Sequence, residues 1–340
     1  MCLRFLIGSI ATPKVMKILY VTHQKGVSSF CEHIKEKGIK SDLLLLPNVK
    51  PKYRFLSKKG FAWRETKALF KLLFSLCKMR NAKVYTVGGQ YSCMLIFRMF
   101  GSLLGRDAHL FIHNFYIHGL GKNAKVKKIL RFLMGSTKMT LIVQTPGERE
   151  YFEGISKKID IKFVPYCMDY SPKLVPEEGY IFTGGYTNRD YELMAKLAER
   201  MPNENFVFVM SKLNGDVSFP KNVKVYKDIP GSEFQPLLEK SRVVVVPLKE
   251  DVGSSGQMLC LQAMRNAKPI VYCNVSSISY YFNETSGYPY ELGNIESLYN
   301  AVSHALDGEI KDVGENALTE SMKYTKEREQ EMVDKVLGIV

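Results

Sequence analysis

The chain has 340 residues, enough for two domains of ordinary size, and its 46% apolar content excludes a disordered protein. Seven cysteines without a CxxC pair and six histidines without an HExxH exclude a disulfide framework and the common zinc motifs, and suit a reducing compartment. The net charge of +14 is unevenly placed, with 31 Lys+Arg against 10 Asp+Glu in residues 1–175 and 17 against 24 in residues 176–340.

Halves of opposite sign point to two domains with different partners. Residues 1–15 read as an N-terminal extension, either an upstream start or a surface-lying tail, and Lys17–Thr22 as the first strand. Strands follow at Asp42–Leu46, Lys83–Val87, His109–His113, Thr140–Gln144 and Ile161–Val164. Helices between them span Ser28–Lys37, Arg64–Met79, Tyr91–Leu104, Lys125–Met134 and Pro146–Glu153. The stretch Pro165–Glu178 has three prolines and no periodicity, and marks a linker. The alternation then restarts. Strands are expected at Tyr180–Phe182, Phe206–Met210, Val223–Tyr226, Val243–Val246 and Lys268–Tyr272. Helices are expected near 189–200, Ser232–Lys240, Gln257–Met264 and Ile295–Leu306, with a charged amphipathic helix over Thr319–Val340. This is an α/β chain of two doubly wound Rossmann-like domains, which would face each other across a cleft.

Between Val49 and Lys83 lie eleven basic residues and one acid, Glu65, interleaved with Tyr53, Phe55, Phe61, Trp63, Phe70 and Phe74. Such a mixture suits an anionic membrane surface, and equally a core-facing helix with a solvated basic face; the basic loop Lys50–Lys59 favours the membrane. No apolar run reaches bilayer-spanning length. The chain carries no helix-turn-helix, RNP-like or zinc-finger pattern, so a nucleic-acid partner is not expected despite the charge.

The densest chemistry lies in Arg242–Tyr272. Val243–Val246, stopped by Pro247, is a buried parallel strand; it empties into Gly253-Ser254-Ser255-Gly256, and a helix starts at Gln257. A small-residue turn there leaves backbone N–H groups and the positive end of a helix dipole at a sheet edge, where phosphates bind. An ordinary βαβ unit explains the hydrophobic pattern as well, but not the choice of Gly, Ser and Ser.

In order, these pieces resemble the GT-B glycosyltransferases, most of all the group 1 or family 4 enzymes. The resemblance rests on Lys162-Phe163-Val164-Pro165-Tyr166-Cys167-Met168-Asp169 entering the linker, and on Tyr180–Gly185 followed by Arg189. It also rests on Val223–Ile229, on the segment from Val243 to Val271, and on His113-Asn114 at a strand end. It implies a basic acceptor domain over 16–170, a linker over 171–178 and a donor domain over 179–315. A C-terminal helix over 316–340 would cross back to the first domain. Three features depart from the family pattern. The first strand runs into Gln24-Lys25-Gly26-Val27, where a glycine pair is usual. Ser254 and Gln262 stand where two glutamates are usual, with Glu250 or Asp251 able to supply the first acid if the loop is longer. Gly185 stands where an arginine is usual.

The resemblance implies transfer of a sugar from a nucleotide-sugar donor to a glycan or lipid-linked saccharide, at the inner, cytoplasmic face of the membrane, in cell-surface polysaccharide synthesis. No cofactor or metal is needed. Arg189 would hold phosphate oxygens with its planar fork, aided by Lys212. Gly184 and Gly185 would admit the diphosphate closely. The N–H groups of Ser254, Ser255 and Gly256, at the turn into Gln257, would complete the cradle; Ile229 would face the base and Gln262 the ribose. His113 would face the reacting sugar. Retention of configuration is implied as well. The rivals are a same-fold epimerase or pyruvyl transferase, and a membrane subunit without turnover, which the missing glutamates keep open.

Overall fold

The computed structural model describes residues 16–23, 29–47, 58–88, 91–115, 124–171, 175–251 and 253–339, without the side chains of 58–62 and 213. The N-terminal extension, most of the Lys50–Lys59 loop and part of the linker lie outside the described residues.

Two six-stranded sheets, each wholly parallel, carry the fold. The first holds β1 (Lys17–Thr22), β2 (Lys40–Leu45), β3 (Lys83–Val87), β4 (His109–His113), β5 (Met139–Val143) and β6 (Asp160–Phe163), in the order β2-β1-β3-β4-β5-β6. The second holds β7 (Ile181–Gly184), β8 (Phe206–Met210), β9 (Val223–Lys227), β10 (Val243–Val246), β11 (Ile270–Cys273) and β12 (Tyr288–Tyr290), in the order β12-β11-β10-β7-β8-β9. Strands buried on both faces explain the unbroken runs Met139–Val143, Phe206–Met210 and Val243–Val246, where every residue is buried. In the second sheet the chain order reverses between β7 and β10, which puts a crevice at their carboxyl ends.

Helices α1 (Ser29–Glu36), α2 (Lys58–Leu73), α3 (Leu76–Met79), α4 (Tyr91–Phe100), α5 (Ala124–Leu133) and α6 (Pro146–Ile155) flank the first sheet. Helices α7 (Tyr191–Arg200), α8 (Gly231–Glu239), α9 (Gln257–Arg265), α10 (Ile295–Asp307), α11 (Val313–Ser321) and α12 (Lys326–Leu337) follow. The single helix expected over Arg64–Met79 starts earlier and breaks after Leu73. The helix expected over Thr319–Val340 is two, because Tyr324 leaves the helical path: its hydroxyl donates to the Tyr280 carbonyl at 2.9 Å and its ring meets Tyr281 edge-on. Thr325 then restarts the helix as N-cap, accepting from the Arg328 N–H.

α12 lies on the first sheet. Val333 and Leu337 bury themselves among Ile18, Tyr20, Tyr85, Phe111 and Ile142. His33 and Asp334 pair at 2.8 Å, and Lys83 donates to the Leu337 carbonyl. The two domains are thereby tied twice, through the chain entering β7 and through α12. Tyr281 adds to the tie, donating to the Tyr166 carbonyl at 2.7 Å.

Candidate active site

β7 ends in Gly184-Gly185, and both glycines are demanded by their surroundings. A Cβ on Gly184 would stand 2.5 Å from the Phe234 ring; one on Gly185, at φ 136°, would strike the Arg189 guanidinium at 2.6 Å. Arg189 is 7% exposed. Its Nε donates to the Gly184 carbonyl at 3.0 Å and its Nη1 to the Thr187 carbonyl at 3.1 Å. No carboxylate among the described residues pairs with it, and burial lowers its pKa. A buried guanidinium without a counter-charge is costly to fold, and an anion in front of it offsets that cost.

The second positive element faces the same space. Gly256, in the left-handed region at φ 86°, is the N-cap of α9 and offers no side-chain cap. A Cβ there would crowd Ile278 and Val246 at 3.1 and 3.2 Å. The first turn of α9 thus presents its N–H groups and the dipole's positive end outward.

Between the domains lies a cavity of about 670 Å³. Its walls bring together Gly184, Gly185, Arg189, Ile229, Ser254, Ser255, Gly256, Gln257 and Gln262, together with Tyr186, Phe234 and Gln235. Asn114, Gln144 and Tyr166 close it from the first domain. Gln257 spans the seam, its Nε2 donating to the Gln144 carbonyl at 3.1 Å and to the Tyr280 hydroxyl at 2.8 Å. A second cavity of the same size opens beside β11 and β12, on Tyr272 and Phe282. Neither Arg189 nor the α9 N-terminus is among its walls.

Four residues singled out from the sequence are not among the cavity walls. His113 is buried against α12: its Nδ1 meets the Tyr85 hydroxyl at 2.7 Å and its Nε2 lies 3.8 Å from Glu329. Burial, with Lys326 nearby, pushes its pKa down to about 4, so it is neutral at pH 7. Its neighbour Asn114, at φ 54°, takes the cavity position instead. Lys212 begins a short 3-10 turn, where its backbone N–H donates to Asp228. Glu250 is held by Asn188 through its N–H and carbonyl, and Asp251 accepts from the Ser276 N–H and hydroxyl at 3.1 and 2.8 Å. Asp251 is thus committed to a turn.

No family model and no curated protein matches the sequence. Solved structures do. Sucrose-phosphate synthase from Thermosynechococcus elongatus superposes with a TM-score of 0.67 at 13% identity, over 95% of this chain and 98% of that one. Anabaena HepE in complex with UDP gives 0.66 at 11%, over 96% and 100%. The lipopolysaccharide outer core galactosyltransferase WaaB in its apo form gives 0.65 at 14%, over 96% and 100%. The fold is GT-B. In a GT-B frame the cavity lies between the two Rossmann-like domains, on the second domain's switch point.

Proposed function

We propose that this GT-B protein is a glycosyltransferase that binds a nucleotide-sugar donor in the interdomain cavity. One observation carries the reading: a buried arginine with no carboxylate partner among the described residues and an uncapped helix N-terminus face one cavity, a charge pattern that fits a diphosphate. HepE, similar in fold, is seen with UDP and with UDP-glucose, and WaaB is a galactosyltransferase.

As the glycosidic bond to the diphosphate breaks, negative charge grows on the leaving oxygens and positive charge on the sugar. In this reading Arg189 and the N–H groups from Ser254 to the first turn of α9, which line the cavity, take the former. They supply the charge a metal ion would, so the reading needs no metal. We assign the base to Ile229, Phe234 and Gln235 and the ribose to Gln262 on α9, all of which line the cavity. The resemblance to family 4 adds retention of configuration.

For the acceptor we favour a lipid-linked saccharide at the inner face of an anionic membrane, in cell-surface polysaccharide synthesis. The support is a face of the first domain made by α2, α4 and α5, with α4 packed against both of the others. Trp63, Phe70, Phe74, Met99, Leu103, Ile129 and Phe132 are exposed there among Lys67, Lys71, Lys125, Lys127, Lys128 and Arg131. Large exposed apolar side chains set among lysines and arginines suit lipid headgroups and the acyl boundary beneath them.

Thermal shift with UDP, GDP, ADP and their glucose esters tests the donor site. Stabilisation by one diphosphate and its ester is expected; no response to any would overturn the reading.

A further inference from the structure

Ser254, which replaces the usual acid, lines the cavity, yet its hydroxyl proton is already committed. Oγ donates to Oε1 of Glu148, 2.9 Å away, a carboxylate of the other domain in the first turn of α6. The second oxygen, Oε2, accepts the backbone N–H of Gln144 at 3.1 Å, and the Glu148 N–H donates to the capping Thr145 hydroxyl at 3.0 Å. Glu148 is 3% exposed and pairs with no cation among the described residues. Burial raises its pKa, while the bonds from Ser254 and the backbone pull it back down.

Closing the α6 N-terminus needs one carboxylate oxygen. The other goes to a residue 106 positions away, in the opposite domain. A hydroxyl has one proton and two lone pairs. With the proton held by Glu148, what Ser254 has left to offer the cavity is acceptor capacity. We propose that Glu148 is a positioning residue that sets Ser254 Oγ as a hydrogen-bond acceptor for a hydroxyl of the donor sugar. A serine and a carboxylate from two domains thus supply the acceptor that a single glutamate would. The contact spans the seam, so it also selects the sugar only when the domains are closed in this arrangement. The inference rests on the donor reading above.

The test compares the wild-type protein with Glu148→Gln, Ser254→Ala and the double variant. Calorimetry is run with UDP and UDP-glucose, and with the GDP and ADP pairs. A glutamine has one carbonyl oxygen for two donors, so the Gln144 N–H keeps it and an amide N–H turns Ser254 around. Glu148→Gln is expected to weaken the sugar nucleotide by about five- to tenfold, the size of one hydrogen bond, and to leave the free diphosphate nearly unchanged. In the Ser254→Ala background the same change should cost nothing further, since Glu148 acts through that hydroxyl. Equal losses for both ligands with a lowered Tm would make Glu148 a helix cap and no more, and additive losses would also overturn the proposal. If the wild-type protein binds no diphosphate at all, the donor reading falls first and takes this one with it.

Discussion

The two domains share one architecture and use it in opposite directions. The second turns its distinctive chemistry inward: Arg189, Gln257 and Gln262 are buried, and of its exposed large apolar side chains Tyr186 and Met258 line the cavity. The first turns its chemistry outward, with nine of the thirteen large apolar side chains exposed among the described residues, eight of them on or just after α2, α4 and α5. The charge follows the same division, +21 against −7. A Rossmann-like frame fixes where a ligand can sit, at the strand ends; it leaves the outer helices free to be matched to a second partner.

Perturbing one domain and reading both functions separates the two. The largest effect is expected outside. Each lysine near an anionic bilayer contributes about 1 kcal/mol, so the triple change of Lys125, Lys127 and Lys128 to glutamine should weaken binding to phosphatidylglycerol vesicles by about a hundredfold. Nucleotide affinity should stay the same, as measured by co-sedimentation beside calorimetry. Equal binding to neutral vesicles would rule out recognition of an anionic surface, and binding to neither would rule out the membrane.

Inside, Arg189→Ala should weaken diphosphate binding by roughly tenfold or more, as expected for loss of a charge-assisted bond at a desolvated site. Vesicle binding should not change. Unaltered nucleotide affinity would end the assignment of Arg189 as a phosphate ligand.

How much of this was legible in the sequence follows from the range of the interactions. Val243–Val246 and the small-residue turn after it announce themselves through local pattern, and so does the Gly-Gly stop of β7. The Thr145-Pro146-Gly147-Glu148 cap is equally local, but its free oxygen finds Ser254 only once two domains close. β12 gives little local signal because Tyr288-Pro289-Tyr290 is three residues with a central proline, which is tolerated on an edge strand. His113 looked cleft-facing from its strand end; α12, arriving more than 200 positions later, covers it.

The seam under α12 gives the smallest effect, seen as a slope. His113 has a folded pKa of about 4, below the ordinary histidine value of 6.5. Its unfolded form therefore binds protons first as pH falls, and stability contributed by the neutral folded ring is lost between about pH 6.5 and pH 4. Glu329, raised by burial, works in the opposite sense at the low end of that window. Urea unfolding of His113→Gln across this range should show a flatter pH dependence than the wild-type protein, by up to about one proton. An unchanged slope would mean that His113 is not sealed by α12.

A cavity built for a diphosphate should bind a nucleotide more tightly with each phosphate it carries. Titration of the protein with uridine, guanosine or adenosine, each as nucleoside, monophosphate and diphosphate, tests it most directly. For one base, affinity is expected to climb with each phosphate and to lose that climb in Arg189→Ala. Affinities that ignore the phosphates, or no binding in any series, would contradict it.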